Sequence, residues 1–63
     1  MTRIKMLRGW GIFQNNPDEV EFYGFHYTVL SPDNMECRFI CSPGDSDIEC
    51  DSVDEAVSWI NNY

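Results

Sequence analysis

Val20-Glu21-Phe22-Tyr23-Gly24-Phe25-His26-Tyr27-Thr28-Val29-Leu30 is the densest aromatic and β-branched run in the chain. It contains no proline, and Pro17 and Pro32 stand in the stretches that close its two ends. Aromatic and β-branched side chains suit a pleated, half-buried surface, so the run is expected to form the central strand of a small sheet. Tyr23, Phe25, Tyr27 and Val29 form its bulkier face. Phe22, Gly24, His26, Thr28 and Leu30 form the other.

The neighbours of this run supply the rest of the sheet. Residues 2–7 alternate, with Ile4 and Met6 set among Arg3 and Lys5, as in an edge strand guarded by cations. Gly9 and Gly11 flank Trp10 and mark a bend or bulge. Ile12, Phe13 and Gln14 resume a strand, and Asn15-Asn16-Pro17-Asp18 reads as a turn. Ser31-Pro32-Asp33-Asn34 is a second turn. Met35, Cys37, Phe39 and Cys41 alternate with Glu36, Arg38 and Ile40, as in a half-buried strand. After Ser42-Pro43-Gly44-Asp45-Ser46, a short strand is expected at Asp47–Cys50.

The chain closes with a helix. Ser52 is a good N-cap, and Glu55 follows at the capping-box spacing. Val53, Ala56, Val57 and Ile60 make one apolar stripe, with Trp59 at its margin. A helix of two to three turns is not stable alone in water, so it must cover a sheet face. The expected fold is α+β: a three- to four-stranded antiparallel sheet with one C-terminal helix packed on one face. It forms a single domain, with a basic segment or edge strand over 1–17, the sheet over 18–50 and the helix over 52–62. One helix cannot cover both faces. The second face, with Phe22, His26, Ile40, Ile12 and Trp10, is either an interaction surface or lies under the N-terminal segment.

Sixty-three residues bury only about 60% of the surface that the unfolded chain exposes, which leaves little room for a deep catalytic pocket. The formal charge is −7, divided as +3 over residues 1–17 and −10 over residues 18–63. This layout disfavours nucleic acid and favours a protein partner with a basic surface. Asp45, Asp47, Glu49 and Asp51 form the densest acidic row and are expected to supply the electrostatics of docking. Trp10, Phe22, His26 and Ile40 are expected to supply apolar contact, to a partner or to a second copy. Arg3, Lys5, Arg8 and Arg38 would serve the alternative, a nucleic-acid-binding module.

Other chemistry is weaker in the sequence. His26, Cys37, Cys41 and Cys50 have the composition of a zinc site. In an extended strand, however, Cys37 and Cys41 lie roughly 13 Å apart, too far to share one ion. A nucleophilic cysteine needs a histidine and an electropositive setting, whereas Cys50 sits among acids. A disulfide from Cys50 to Cys37 or Cys41 is geometrically open, but reduced, mostly buried thiols in a cytoplasmic protein are expected instead. The N-terminus has no apolar run of the kind a signal peptide needs, and no segment is long and apolar enough to span a membrane. The expectation is a non-enzymatic protein without cofactor or metal.

Asp51, Ser52, Glu55, Ala56, Trp59 and Ile60 form a D-S-x-x-E-A-x-x-W-I pattern. It resembles the ending of small uncharacterised phage, prophage and bacterial accessory proteins. The resemblance implies a β-β-β-α layout and an accessory, non-catalytic role that modulates a host or partner protein. A similar layout occurs in the DNA-binding arm domains of some integrases, which read DNA through the open sheet face. Here that face would offer Arg38 and His26.

Overall fold

The computed structural model describes residues 1–36 and 41–63. Strand β1, Thr2–Leu7, and strand β2, Trp10–Gln14, form a hairpin. Arg8 and Gly9 both take positive φ, 54° and 84°. This is the geometry of a two-residue hairpin turn whose twist matches that of the strands. Leu7 therefore pairs with Trp10, and the bend expected around the tryptophan lies just before it. A register shift between Arg3 and Lys5 makes a bulge at Ile4.

The opening stretch divides into a helix and a strand. Residues Pro17–Tyr23 form helix α1, which corrects the expectation of strand from Val20 onward. The local chemistry explains the helix. Asn16 Oδ1 accepts the Glu19 amide at 2.9 Å, and Glu19 Oε1 accepts the Asn16 amide at 2.9 Å. This is a complete capping box, with Pro17 in the first turn, where a missing N–H costs nothing. Gly24 then takes φ 89° and donates its amide to the Val20 carbonyl at 2.8 Å, ending the helix. The strand β3 is only Tyr27–Leu30.

Strand β4, Ile48–Cys50, pairs with β3, and the sheet order β1-β2-β3-β4 follows the chain, antiparallel throughout. Between β3 and β4 run two single 3₁₀ turns, Asn34–Glu36 and Pro43–Asp45. The strand expected over Met35–Cys41 does not begin at Met35, which lies in the first of these turns. Glu36 lies in the same turn and Cys41 is not in a strand, while Cys37, Arg38, Phe39 and Ile40 lie outside the described residues.

Helix α2, Val53–Asn61, packs on β2, β3 and β4, as the apolar stripe predicts. Ser52 Oγ accepts the Glu55 amide at 3.1 Å, while Glu55 Oε2 is 3.4 Å from the Asp51 amide rather than that of Ser52. Ala56 and Ile60 are buried against Trp10, Ile12, Val29 and Cys50. Leu7, Tyr27, Ile48 and Val57 close the margins of this core. The register accounts for it: Ile12 lies opposite Val29, Val29 opposite Ile48, and Tyr27 opposite Cys50. Trp10 and Ile12 thus belong beneath α2, not to a second, open face. Trp10 also meets the Tyr63 ring edge to face at 4.9 Å.

The second face is covered too, and by neither of the expected means. Thr28 and Leu30 point away from α2 and are fully buried. Met35, from the described part of the β3–β4 connection, lies over this face. A Cβ placed on Gly11 would come within 2.5 Å of Met35 Sδ, and Pro43 is buried. Phe25 is buried as well. Asn15 ties the connection between β2 and β3. Its Nδ2 donates to the Phe25 carbonyl at 2.9 Å, its Oδ1 accepts the Thr28 hydroxyl at 2.6 Å, and its amide donates to the His26 carbonyl at 2.9 Å. No buried side-chain polar atom among the described residues lacks a partner.

Candidate interaction surface

The four acids of the row have different local duties. Asp47 is a brace: its Oδ2 accepts the Ser31 amide at 2.7 Å, and the Asn34 side-chain amide lies 2.8 and 2.9 Å from its two oxygens. It holds the turn that follows β3. Asp45 Oδ2 accepts the Ser42 amide at 2.9 Å and closes the 3₁₀ turn at Pro43. Asp51 Oδ1 accepts the His26 amide at 3.2 Å and faces His26 Nδ1 at 2.9 Å. Glu49, on β4, is exposed and has no such bond among the described residues. Asp45, Asp47 and Asp51 therefore carry folding duties as well as charge, while Glu49 carries charge alone.

The electrostatics follow from these contacts. The His26 imidazole, and then its backbone N–H, hold the Asp51 carboxyl below the usual range. Glu19 is also lowered, first by the Met1 ammonium at 2.8 Å and then by the Asn16 amide. Burial, reinforced by the Glu55 and Asp51 charges, pushes the Cys50 thiol up to about 11. A thiol held this firmly in its protonated form is a poor nucleophile.

The expected apolar contributors separate. Phe22 stands 81% exposed on α1, its ring 4.8 Å from that of Tyr23 and edge to face with it. His26 is exposed beside Asp51. Trp10 is buried, and Ile40 lies outside the described residues. Phe22 and His26 are thus presented to solvent and Trp10 is not. His26 shares a shallow groove of about 450 Å³ with Gln14, Asn15, Pro17, Val20 and Glu21.

Trp59, placed by the sequence only at the margin of the core stripe, is 53% exposed. It lines a shallow depression of about 300 Å³ with Glu55, Ser58 and Asn62, on the outer face of α2. The spacing of 55, 58, 59 and 62 is the helical signal that marks this face. Glu21, which the strand assignment concealed, and Asp18, expected in a turn, are further exposed acids on α1.

The thiols differ from one another. Cys50 is free and buried beneath α2, whereas Cys41 is disulfide-bonded. The latter departs from the expectation of reduced thiols, and Cys50 takes no part in a bridge. Among the described residues no group of three or more His, Cys, Asp or Glu side chains is placed to hold a metal ion. No described helix is long and apolar enough to cross a membrane.

No protein-family model matches the chain, and neither a curated protein nor a solved structure matches it.

Proposed function

We propose that the chain is a small non-enzymatic protein-binding module whose helical surfaces dock on a basic surface of a partner protein. The observation that carries this reading is the setting of Phe22 and Trp59. Each is a large ring exposed on a helix that bears acids and no base: Asp18, Glu19 and Glu21 on α1, Asp54 and Glu55 on α2. Exposed aromatic anchors ringed by charge suit protein recognition, because the ring supplies buried area and the charges supply steering and selectivity. The likeness of residues 51–61 to the endings of small phage and bacterial accessory proteins supports an accessory role.

The test is capture of partners from a lysate of the source cell. One variant carries F22A and W59A, and another carries E21Q, E49Q and D54N. These five side chains have no hydrogen-bonding duty among the described residues, so fold is retained. Partners bound by the native protein and lost by both variants, with retention falling as salt rises, are the expected result. Identical capture by all three proteins overturns the reading.

A further inference from the structure

Strand β1 overhangs the rest of the molecule. Helix α2 packs on β2, β3 and β4, and among the described residues β1 pairs only with β2. Five of its six residues are exposed, and only Leu7 is drawn into the core margin. Ile4 and Met6 are 44% and 45% exposed. The outer side of β1 is thus a free sheet edge, with backbone donors and acceptors in a row.

The charge carried by the hairpin itself is of one sign. Arg3, Lys5 and Arg8 lie on β1 and its turn, and residues 1–17 contain no acid. Glu19, which reaches the start of the chain, is already engaged by the Met1 ammonium and the Asn16 amide. The bulge places Arg3 opposite Phe13 and Lys5 opposite Ile12, so the two cations project from opposite faces of the edge. A second copy paired antiparallel about Lys5 would set Lys5 beside its own mate on one face, which disfavours that register of self-pairing. An added strand that bears carboxylates relieves the repulsion instead of increasing it.

We propose that the free edge of β1 takes up an extended acidic segment of a partner protein as a fifth strand. Backbone hydrogen bonds supply the pairing, Ile4 and Met6 supply apolar contact, and Arg3 and Lys5 select for carboxylates on both faces of the incoming strand. The bulge and the cations that guard the edge against indiscriminate pairing act here as the selectivity filter. This surface is distinct from the acidic helical one, so each can fail without the other.

The probe is the labelled peptide Thr-Val-Glu-Glu-Val-Thr, blocked at both ends, with a counterpart carrying lysines for the two glutamates. Binding is followed by fluorescence anisotropy, and the contact is located by amide shifts and hydrogen exchange in solution. The acidic peptide is expected to bind at least tenfold more tightly than its lysine counterpart. It should shift β1 amides and slow the exchange of those facing outward. The variant with R3E and K5E should weaken binding at least tenfold, whereas F22A with W59A should leave it unchanged. If the charge-reversed protein does not fold, loss of affinity with added salt and the contrast between the two peptides serve in its place. Equal binding of both peptides, shifts confined to residues outside β1, or a thymidine oligonucleotide that shifts β1 more strongly than the peptide each overturn the proposal. So does protection of β1 through dimerisation of the protein alone.

Discussion

Replacing Asn15 with alanine tests the polar tie between β2, α1 and β3. Asn15 is buried, and its side chain both donates to the Phe25 carbonyl and accepts the Thr28 hydroxyl. Truncation leaves these two groups without their partner in a dry setting. An unsatisfied buried polar group costs about 1–3 kcal/mol, so N15A should destabilise by about 2–4 kcal/mol. T28V removes one bond and leaves Asn15 Oδ1 unpaired, at about 1–2 kcal/mol. The double variant should cost about 1 kcal/mol less than the sum, because neither group is then left waiting for the other. A domain of 63 residues is stable by roughly 3–9 kcal/mol, so N15A should be near the limit of folding. Urea denaturation provides the assay: with a slope of about 1 kcal/mol/M, the midpoint falls by about 2 M or more. A loss below about 0.5 kcal/mol for N15A, or strict additivity with T28V, would refute the view of Asn15 as the organising tie.

Gly24→Ala places a side chain at φ 89° with no atom within 4 Å, so its cost is backbone strain alone, about 1 kcal/mol by urea denaturation. Arg8→Asn puts a residue tolerant of left-handed dihedrals at φ 54° and should raise Tm by about 4 °C in a calorimetric scan. Cys50 should resist alkylation in the folded protein at pH 8 and react after unfolding, as peptide mass mapping will show. Its thiol ionises near 11 when folded but near 9 when unfolded, so stability falls as pH rises across that interval. C50A should lack that part of the alkaline decline in urea midpoint. Asp51 behaves in the opposite sense, since its folded value is depressed. The stability it contributes is present above its ordinary value near 4 and lost as pH falls through the folded value, and D51N should flatten that limb of the acid titration.

Much of the fold was legible where one signal acted alone. The α2 stripe and the Ser52 cap belong to a single short window, and both stand as read. The alternation Tyr27–Val29 correctly put those two side chains under the helix. The same alternation was then carried back through Tyr23, into a segment where strand propensity and helix caps compete. Asn16, Pro17 and Glu19 make a capping box, and Gly24 supplies the stop. These end signals prevail because they satisfy backbone groups that a propensity scale does not count. Phe22 is exposed for the same reason: on a short helix its direction follows a turn of 3.6 residues, not a pleat. The Asn15 tie joins groups 10 and 13 positions apart, and the Asp47 brace reaches Ser31 across 16. Neither has a local pattern, so composition marks Asn15 only as a turn residue and Asp47 only as a charge.

The strand order has a consequence for how the chain acquires its structure. Each strand lies beside the one synthesised just before it, so no pairing waits on a distant segment. Such nearest-neighbour topology keeps contact order low and favours rapid folding. The exception is the lid of the core. Ile12 and Val29 gain their cover from Ala56 and Ile60, which follow Val29 by 27 and 31 positions and Ile12 by 44 and 48. On the ribosome the sheet can therefore assemble progressively, while its apolar side stays open until the final turns of α2 emerge. Over that interval the nascent domain is at its greatest hazard of aggregation, and chaperone capture would be directed at that open side.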